Sequence, residues 1–225
     1  MRPFLLVLNG ISGSGKTTLA EALHARFESA LLFLDNYYFP SDPALLAQAN
    51  MDRPEAIDGA GLARDLGDLK AGKAVRSPVY GFNQCRPVDW QEVLPAPLLI
   101  VEGQYCSAYP EVREIADATL LLEVPYGACL DRRQRRDAQM LARDPEATRA
   151  RFEAQVVPGF ERCLPELRAA ADLILYPEPG YFERNPPEEG LAWGMAGWEA
   201  ILSLIPAESL RPWPSSPSVA VHRLA

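Results

Sequence analysis

Gly10-Ile11-Ser12-Gly13-Ser14-Gly15-Lys16-Thr17 lies between the apolar run Phe4 to Leu8 and a helix-length segment. The pattern GxxxxGK followed by Ser or Thr, in that strand, loop and helix context, constrains the fold more than any other feature of the chain. Its glycines let backbone N–H groups turn inward around a phosphate, the following helix directs the positive end of its dipole there, and Lys16 adds a mobile cation. Thr17 offers a hydroxyl to Mg²⁺. The candidate nucleotide-binding residues are therefore Gly10, Ser12, Gly13, Ser14, Gly15, Lys16, Thr17 and Thr18.

Four more short apolar runs read as strands: Leu31 to Leu34, Leu98 to Val101, Thr119 to Val124 and Leu173 to Tyr176. They lack polar alternation, and helix-length segments separate most of them. Crossover helices bury both faces of a parallel sheet, so the expected fold is a doubly wound α/β. Helices are expected over Lys16 to Glu28, from an Asp58 cap to about Lys70, and over about Tyr126 to Leu141. Asp144-Pro145-Glu146 marks another start, with Asp144 capping and Pro145 in the first turn, where its missing N–H costs nothing.

A net charge of −8, from 22 basic against 30 acidic residues, argues against non-specific binding to nucleic acid or anionic membranes. The content of 48% hydrophobic residues excludes disorder of the whole chain. Cys85, Cys106, Cys129 and Cys163 include no CxxC pair, and with only His24 and His222 beside them neither a zinc site nor a disulfide framework is expected. No spanning segment or signal core is found, and a cytoplasmic location is expected. Residues 1–176 read as the core, with a lid at about 130–150, and 177–225 as an extension holding 8 of the 21 prolines. One helix is expected there, from about Leu191 to Leu204, with Trp193, Trp198, Ile201 and Ile205 on an apolar face that docks on the core. From Pro212 a loose tail is expected.

Holding Mg²⁺ beside such a loop needs an acidic residue at the end of a neighbouring strand. Asp35 follows Leu31 to Leu34, and Glu102 follows Leu98 to Val101. Carboxylates at the C-terminal ends of parallel strands project into the crevice where these sheets bind ligands.

With these residues in place the chain resembles the uridine kinase and phosphoribulokinase family of P-loop kinases. The likeness includes Asp35-Asn36-Tyr37-Tyr38 (family DxFY), Asp52-Arg53-Pro54-Glu55-Ala56-Ile57-Asp58 (DHPDAFD) and Arg132-Arg133-Gln134-Arg135-Arg136-Asp137 (RRxxRD). Pro78-Val79-Tyr80, Val157-Pro158-Gly159-Phe160 (KPxF) and Ala171 to Leu175 (ADVII) extend it. The resemblance implies phosphoryl transfer from ATP to a hydroxyl. Asp35 would accept the hydroxyl proton, Lys16, Thr17 and Glu102 would organise phosphates and Mg²⁺, and a lid carrying Arg132, Arg133, Arg136 and Arg143 would close over them. Asp35, Lys16 and Arg136 are thus the candidate catalytic residues, and Thr17 and Glu102 the candidate metal ligands. The span Arg132 to Arg151 holds seven arginines against three acidic residues, and Arg135, Arg149 and Arg151 are left to a solvated helix face.

The likeness weakens at the acceptor. Tyr80-Gly81-Phe82-Asn83-Gln84-Cys85-Arg86 lacks the base-reading histidine of uridine kinases, and Arg151 stands where the family has glutamine. Asp58 and Tyr80 match acceptor-contacting positions, and Arg86 is a further acceptor candidate. The acceptor expected first is a nucleoside such as uridine or cytidine. The alternatives are nicotinamide riboside, pantothenate, glycerate or a sugar phosphate. A nucleotide-dependent switch without an acceptor would share the loop, but no guanine-reading NKxD segment is present. A homo-oligomer is expected from the family alone.

Overall fold

The computed structural model describes residues 2–41, 50–176 and 194–214. Five parallel strands form one sheet in the order β2-β5-β1-β6-β7: β1 (Phe4–Gly10), β2 (Ser29–Phe33), β5 (Leu98–Gly103), β6 (Ala118–Leu122) and β7 (Leu173–Leu175). A separate antiparallel ribbon pairs β3 (Val75–Gly81) with β4 (Arg86–Val93). The helices are α1 (Lys16–Arg26), α2 (Gly59–Lys70), α3 (Pro110–Ile115), α4 (Tyr126–Leu141), α5 (Pro145–Arg151), α6 (Val157–Ala170) and α7 (Gly194–Ser203).

The absence of polar alternation in the strands follows from burial on both sides. Leu5 and Val7 of β1, with Leu99 and Val101 of β5, face Leu62, Leu66, Val112, Phe160 and Leu167 from α2, α3 and α6. Leu6, Leu8, Leu98 and Ile100 face the other way, onto Leu19, Ala20 and Leu23 of α1 and Trp198 and Ile201 of α7. Each leucine sealed there contributes about 1.5–3 kcal/mol relative to exposure.

Asp58 caps α2 by accepting from Gly61 N at 2.8 Å, and Asp144 caps α5 by accepting from Ala147 N at 3.3 Å. The β3–β4 ribbon is not marked by its sequence, because Pro78 and Pro87 interrupt the alternation a strand needs. A ribbon outside the main sheet tolerates them. Helix α6 follows a π-helical turn at Phe152–Val156 and carries Pro165 inside it.

Trp198, Ile201 and Ile205 dock on the α1 face of the sheet, while Leu191 and Trp193 lie outside the described residues. The expected loose tail from Pro212 is corrected at its start. Trp213 Nε1 donates to His24 O at 2.7 Å, its ring meets His24 edge-on at 5.4 Å, and Glu28 N donates to Arg211 O at 2.7 Å. Carbonyls at a helix C-terminus lack intrahelical donors, and Trp213 satisfies one of those of α1. No described helix is long and apolar enough to cross a membrane.

Candidate active site

Strand order sets the site. β5 lies between β1 and β2, in register Leu8 to Glu102 on one side and Phe33 to Glu102 on the other. The loop that leaves β1 and the turn that leaves β2 therefore flank Glu102 at the C-terminal edge of the sheet.

The loop runs from Gly10 to Lys16, where α1 begins. Ser14 N donates to Ile11 O at 3.0 Å, and Ser12 N donates to Gln104 Oε1 at 3.3 Å. Gly13 (φ +85°) requires glycine twice over: its backbone is left-handed, and a Cβ would sit 2.3 Å from Cys129 O of α4. The Ser14 hydroxyl is buried without a hydrogen-bond partner among the described residues. Lys16 is buried with its Nζ 3.7 Å from Glu102 Oε2, while Thr17 Oγ1 donates to Glu102 Oε1 at 2.8 Å. Thr18 follows, half-buried in the first turn of α1.

Glu102 is 6% exposed, and its Oε2 has no hydrogen-bond partner among the described residues. Burial raises its pKa, Lys16 opposes this, and Asp35 adds to it. A buried carboxylate oxygen left over beside a threonine hydroxyl is the hard-oxygen environment that suits Mg²⁺. Thr17 and Glu102 thus fit the ion expected of them.

Asp35 sits in the short turn Leu34–Tyr37 after β2. Asn36 Oδ1 accepts from Tyr80 N at 3.2 Å, and Tyr37 Oη donates to Asp65 Oδ2 at 2.8 Å, so its neighbours in the turn are pinned. Asp35 itself makes no hydrogen bond or ion pair to a described residue. Burial raises its pKa, against the pull of Lys16, Arg136 and Arg133, while the Asp52 charge raises it further. Loop lysine, turn carboxylate and lid arginines thus share one field.

The arginines expected of a lid, on α4 and just after it, converge on one residue. Asp137, with 1% of its side chain exposed, takes Arg136 Nη2 at 2.9 Å, Arg133 Nε at 3.5 Å and Arg143 Nη1 at 3.7 Å. Arg132 Nη1 donates instead to Gly13 O at 3.2 Å, joining α4 to the phosphate loop. α4 ends on Ala142 in the left-handed region (φ 48°).

Two residues were passed over in reading the sequence. Asp52 is 5% exposed, with Oδ2 3.1 Å from Arg151 Nε and Oδ1 3.9 Å from Arg133 Nη1. Gly159 makes room for it, since a Cβ there would lie 2.1 Å from Asp52 O. Arg151 therefore does not belong to a solvated face as expected. It reaches a buried carboxylate, whereas Arg149 pairs with exposed Glu153 at 3.7 Å. The sequence signals were Asp52 opening the DHPDAFD-like segment and Arg151 standing in place of glutamine.

The acceptor candidates are placed differently. Asp58 spends an oxygen on its helix cap and lines an open cleft with Phe39, Pro54 and Tyr109, and its charge acts on Asp65 rather than on Asp35. Tyr80 is buried in an aromatic trio with Tyr38 at 5.6 Å and Phe82 at 5.4 Å between ring centroids. Arg86 is exposed at the start of β4.

The chain is 29% identical to a uridine kinase of Borrelia turicatae over 184 residues, covering 80% of this chain and 89% of that one. Its fold is similar to a solved candidate fructose transport system kinase from Silicibacter sp. TM1040, with a TM-score of 0.60, 24% identity, and 77% and 90% of the two chains covered. It is likewise similar to a solved candidate uridine kinase from Bacillus stearothermophilus, with a TM-score of 0.57, 18% identity, and 78% and 89% covered. The family model for Phosphoribulokinase / Uridine kinase matches residues 5–179. With the phosphate loop, the strand-end carboxylates and the arginine lid gathered at one sheet edge, the chain belongs to the Phosphoribulokinase / Uridine kinase family and is a phosphotransferase with an alcohol acceptor.

Proposed function

We propose that this chain transfers the γ-phosphoryl group of ATP to a hydroxyl of a small metabolite, with Mg²⁺ held by Thr17 and Glu102. The observation that carries this reading is the placement of Asp35 and Glu102 at the ends of adjacent strands, around Lys16. The acceptor oxygen attacks the γ-phosphorus, the bond from that phosphorus to the ADP oxygen breaks, and the hydroxyl proton passes to the Asp35 carboxylate. A carboxylate without a hydrogen-bond partner among the described residues, its pKa raised by burial, suits a general base. Lys16 and the loop N–H groups orient the phosphates. Arg132, Arg133, Arg136 and Arg143 neutralise charge as it spreads over the transferring group and exclude water when the lid closes. Mg²⁺ supplies further neutralisation of phosphate charge when bound.

The names of relatives put nucleosides, uridine and cytidine, first as acceptors. A second reading, an acceptor outside the neutral nucleosides, is favoured by one observation, the pair of Arg151 with buried Asp52. A homo-oligomer and a cytoplasmic location complete the proposal.

The test is ADP release from ATP and Mg²⁺ with uridine, cytidine, nicotinamide riboside, pantothenate, glycerate and pentose phosphates, beside Asp35→Asn. Acceptor-stimulated release that falls at least about a hundredfold in Asp35→Asn supports the reading. Release indifferent to every acceptor and to Asp35 refutes it in favour of a nucleotide switch.

A further inference from the structure

The cationic side chains of the site divide by what anchors them. Arg132 holds the phosphate loop, and Arg136 and Arg143 are gathered on Asp137 of the lid. Arg151 stands apart at the end of α5, with its Nε on Asp52, in the segment that precedes α2. Asp52 lies within the electrostatic reach of Asp35, and Arg133 joins it to the arginines gathered on Asp137, so this pair borders the site.

Asp52 Oδ2 accepts from Arg151 Nε at 3.1 Å, and Oδ1 stands 3.9 Å from Arg133 Nη1, beyond hydrogen-bond distance. The carboxylate orients the Arg151 guanidinium. Arg151 bonds only through Nε, and its Nη1 and Nη2 donate to no described residue. A guanidinium fixed at Nε with both terminal nitrogens spare presents the fork that matches a phosphate or carboxylate.

The local balance agrees. Arg133, Arg136, Arg143 and Arg151 are crowded around two buried carboxylates, Asp52 and Asp137, an excess of two positive charges. After burial, the largest influence lowering the Arg143 pKa is Arg151. Arg133 Nε, in a side chain 7% exposed, lies 3.5 Å from Asp137 without forming a hydrogen bond. Such a cluster is relieved by anions; in the proposed reaction the transferring phosphoryl group takes Arg133, Arg136 and Arg143, which leaves Arg151 for another.

We propose that Arg151, oriented by Asp52, reads a negatively charged group on the phosphoryl acceptor, which is therefore a hydroxyl compound bearing a phosphate or a carboxylate. This rests on the kinase reading above and selects within its acceptor class. The neutral nucleosides become poor acceptors.

The test measures ADP release from Mg²⁺-ATP with acceptors paired to differ in one anionic group: ribose with ribose 5-phosphate, and glycerol with glycerate. The wild type is compared with Arg151→Gln and Arg151→Lys. The expected result is a kcat/KM at least about tenfold higher for the charged member of a pair, with Arg151→Gln closing that gap chiefly through KM and Arg151→Lys restoring part of it. The sugar and acid pairs tell phosphate from carboxylate. Equal rates on charged and neutral members, or a preference unchanged in Arg151→Gln, overturn the proposal.

If no pair is turned over, inorganic phosphate and acetate are titrated calorimetrically into protein saturated with Mg²⁺ and a non-hydrolysable ATP analogue. Binding that weakens at least about tenfold in Arg151→Gln supports the assignment, and binding that is absent or insensitive to the variant overturns it. Loss of analogue binding itself refutes the kinase reading, and is seen separately.

Discussion

Thr17 Oγ1 donates to Glu102 Oε1 across 2.8 Å, tying the first turn of α1 to the end of β5. The other Glu102 oxygen is buried without a hydrogen bond and 3.7 Å from Lys16 Nζ. Glu102→Gln keeps the shape and removes the charge. It is expected to raise the Mg²⁺ concentration needed for half-maximal turnover about tenfold or more and to lower kcat by about a hundredfold. A magnesium titration of ADP release reads both, and an unchanged Mg²⁺ requirement would place the ion elsewhere.

Asp35→Asn is expected to lose activity and gain stability. Burial, reinforced by Asp52, holds the Asp35 carboxyl above its ordinary pKa despite Lys16 and Arg136. A group whose folded-state pKa exceeds its unfolded value contributes stability below the unfolded pKa and loses it as pH rises through the folded pKa. The variant does not titrate, so its Tm should exceed that of the wild type at about pH 8, with the difference shrinking toward about pH 4. Turnover of the wild type should run the other way, because Asp35 in its proposed role as base works only when deprotonated. Its acid limb should fall at higher pH than an unperturbed aspartate would give. Thermal melts and kcat/KM profiles across this range check both signs.

Asp137 is the counter-charge that lets three arginines crowd together in the lid. Removing one buried partner leaves the others uncompensated, so Asp137→Asn should destabilise the fold by about 3 kcal/mol. Urea denaturation measures this. If Arg133, Arg136 and Arg143 were independent surface charges, the change would instead stay within about 0.5 kcal/mol.

The sheet was legible in the sequence because a parallel strand sealed on both faces is a run of apolar residues, and Phe4 to Leu8 and Leu98 to Val101 are such runs. The α2 and α5 starts were legible because Asp58 and Asp144 cap them through local hydrogen bonds. Asp52 and Arg151 were not, since they are 99 residues apart and become partners only when α5 folds back over the segment before α2. Asp137 was visible only as part of an arginine-rich string. Its role depends on α4 being buried along that one line, which charge counting cannot show.

The anchored start of the C-terminal stretch gives a separable test. Trp213→Phe keeps the ring against His24 and deletes the N–H that bonds His24 O, so it should cost about 1 kcal/mol. Trp213→Ala also removes the packing and should cost about 2 kcal/mol or more. ATP turnover at low temperature should be unaffected in both. Equal stability of all three proteins would mean that the Trp213 side chain adds nothing to the hold on α1.

Ala142 ends α4 with φ 48° and ψ 33°, a conformation in which a Cβ crowds the following carbonyl at a cost of roughly 1–2 kcal/mol. Helices commonly end in the left-handed region, and glycine is the residue that adopts it without this cost. Ala142→Gly removes the strain but widens the freedom of the unfolded chain, which offsets part of the gain. A net stabilisation of about 0.5–1 kcal/mol is expected in urea denaturation. The same change frees the junction between α4 and α5, across which Arg143 reaches back to Asp137 and Arg151 reaches Asp52. If lid closure depends on that junction being stiff, kcat should fall in Ala142→Gly even as the protein becomes more stable. If closure is limited by the junction's strain, kcat should rise together with stability.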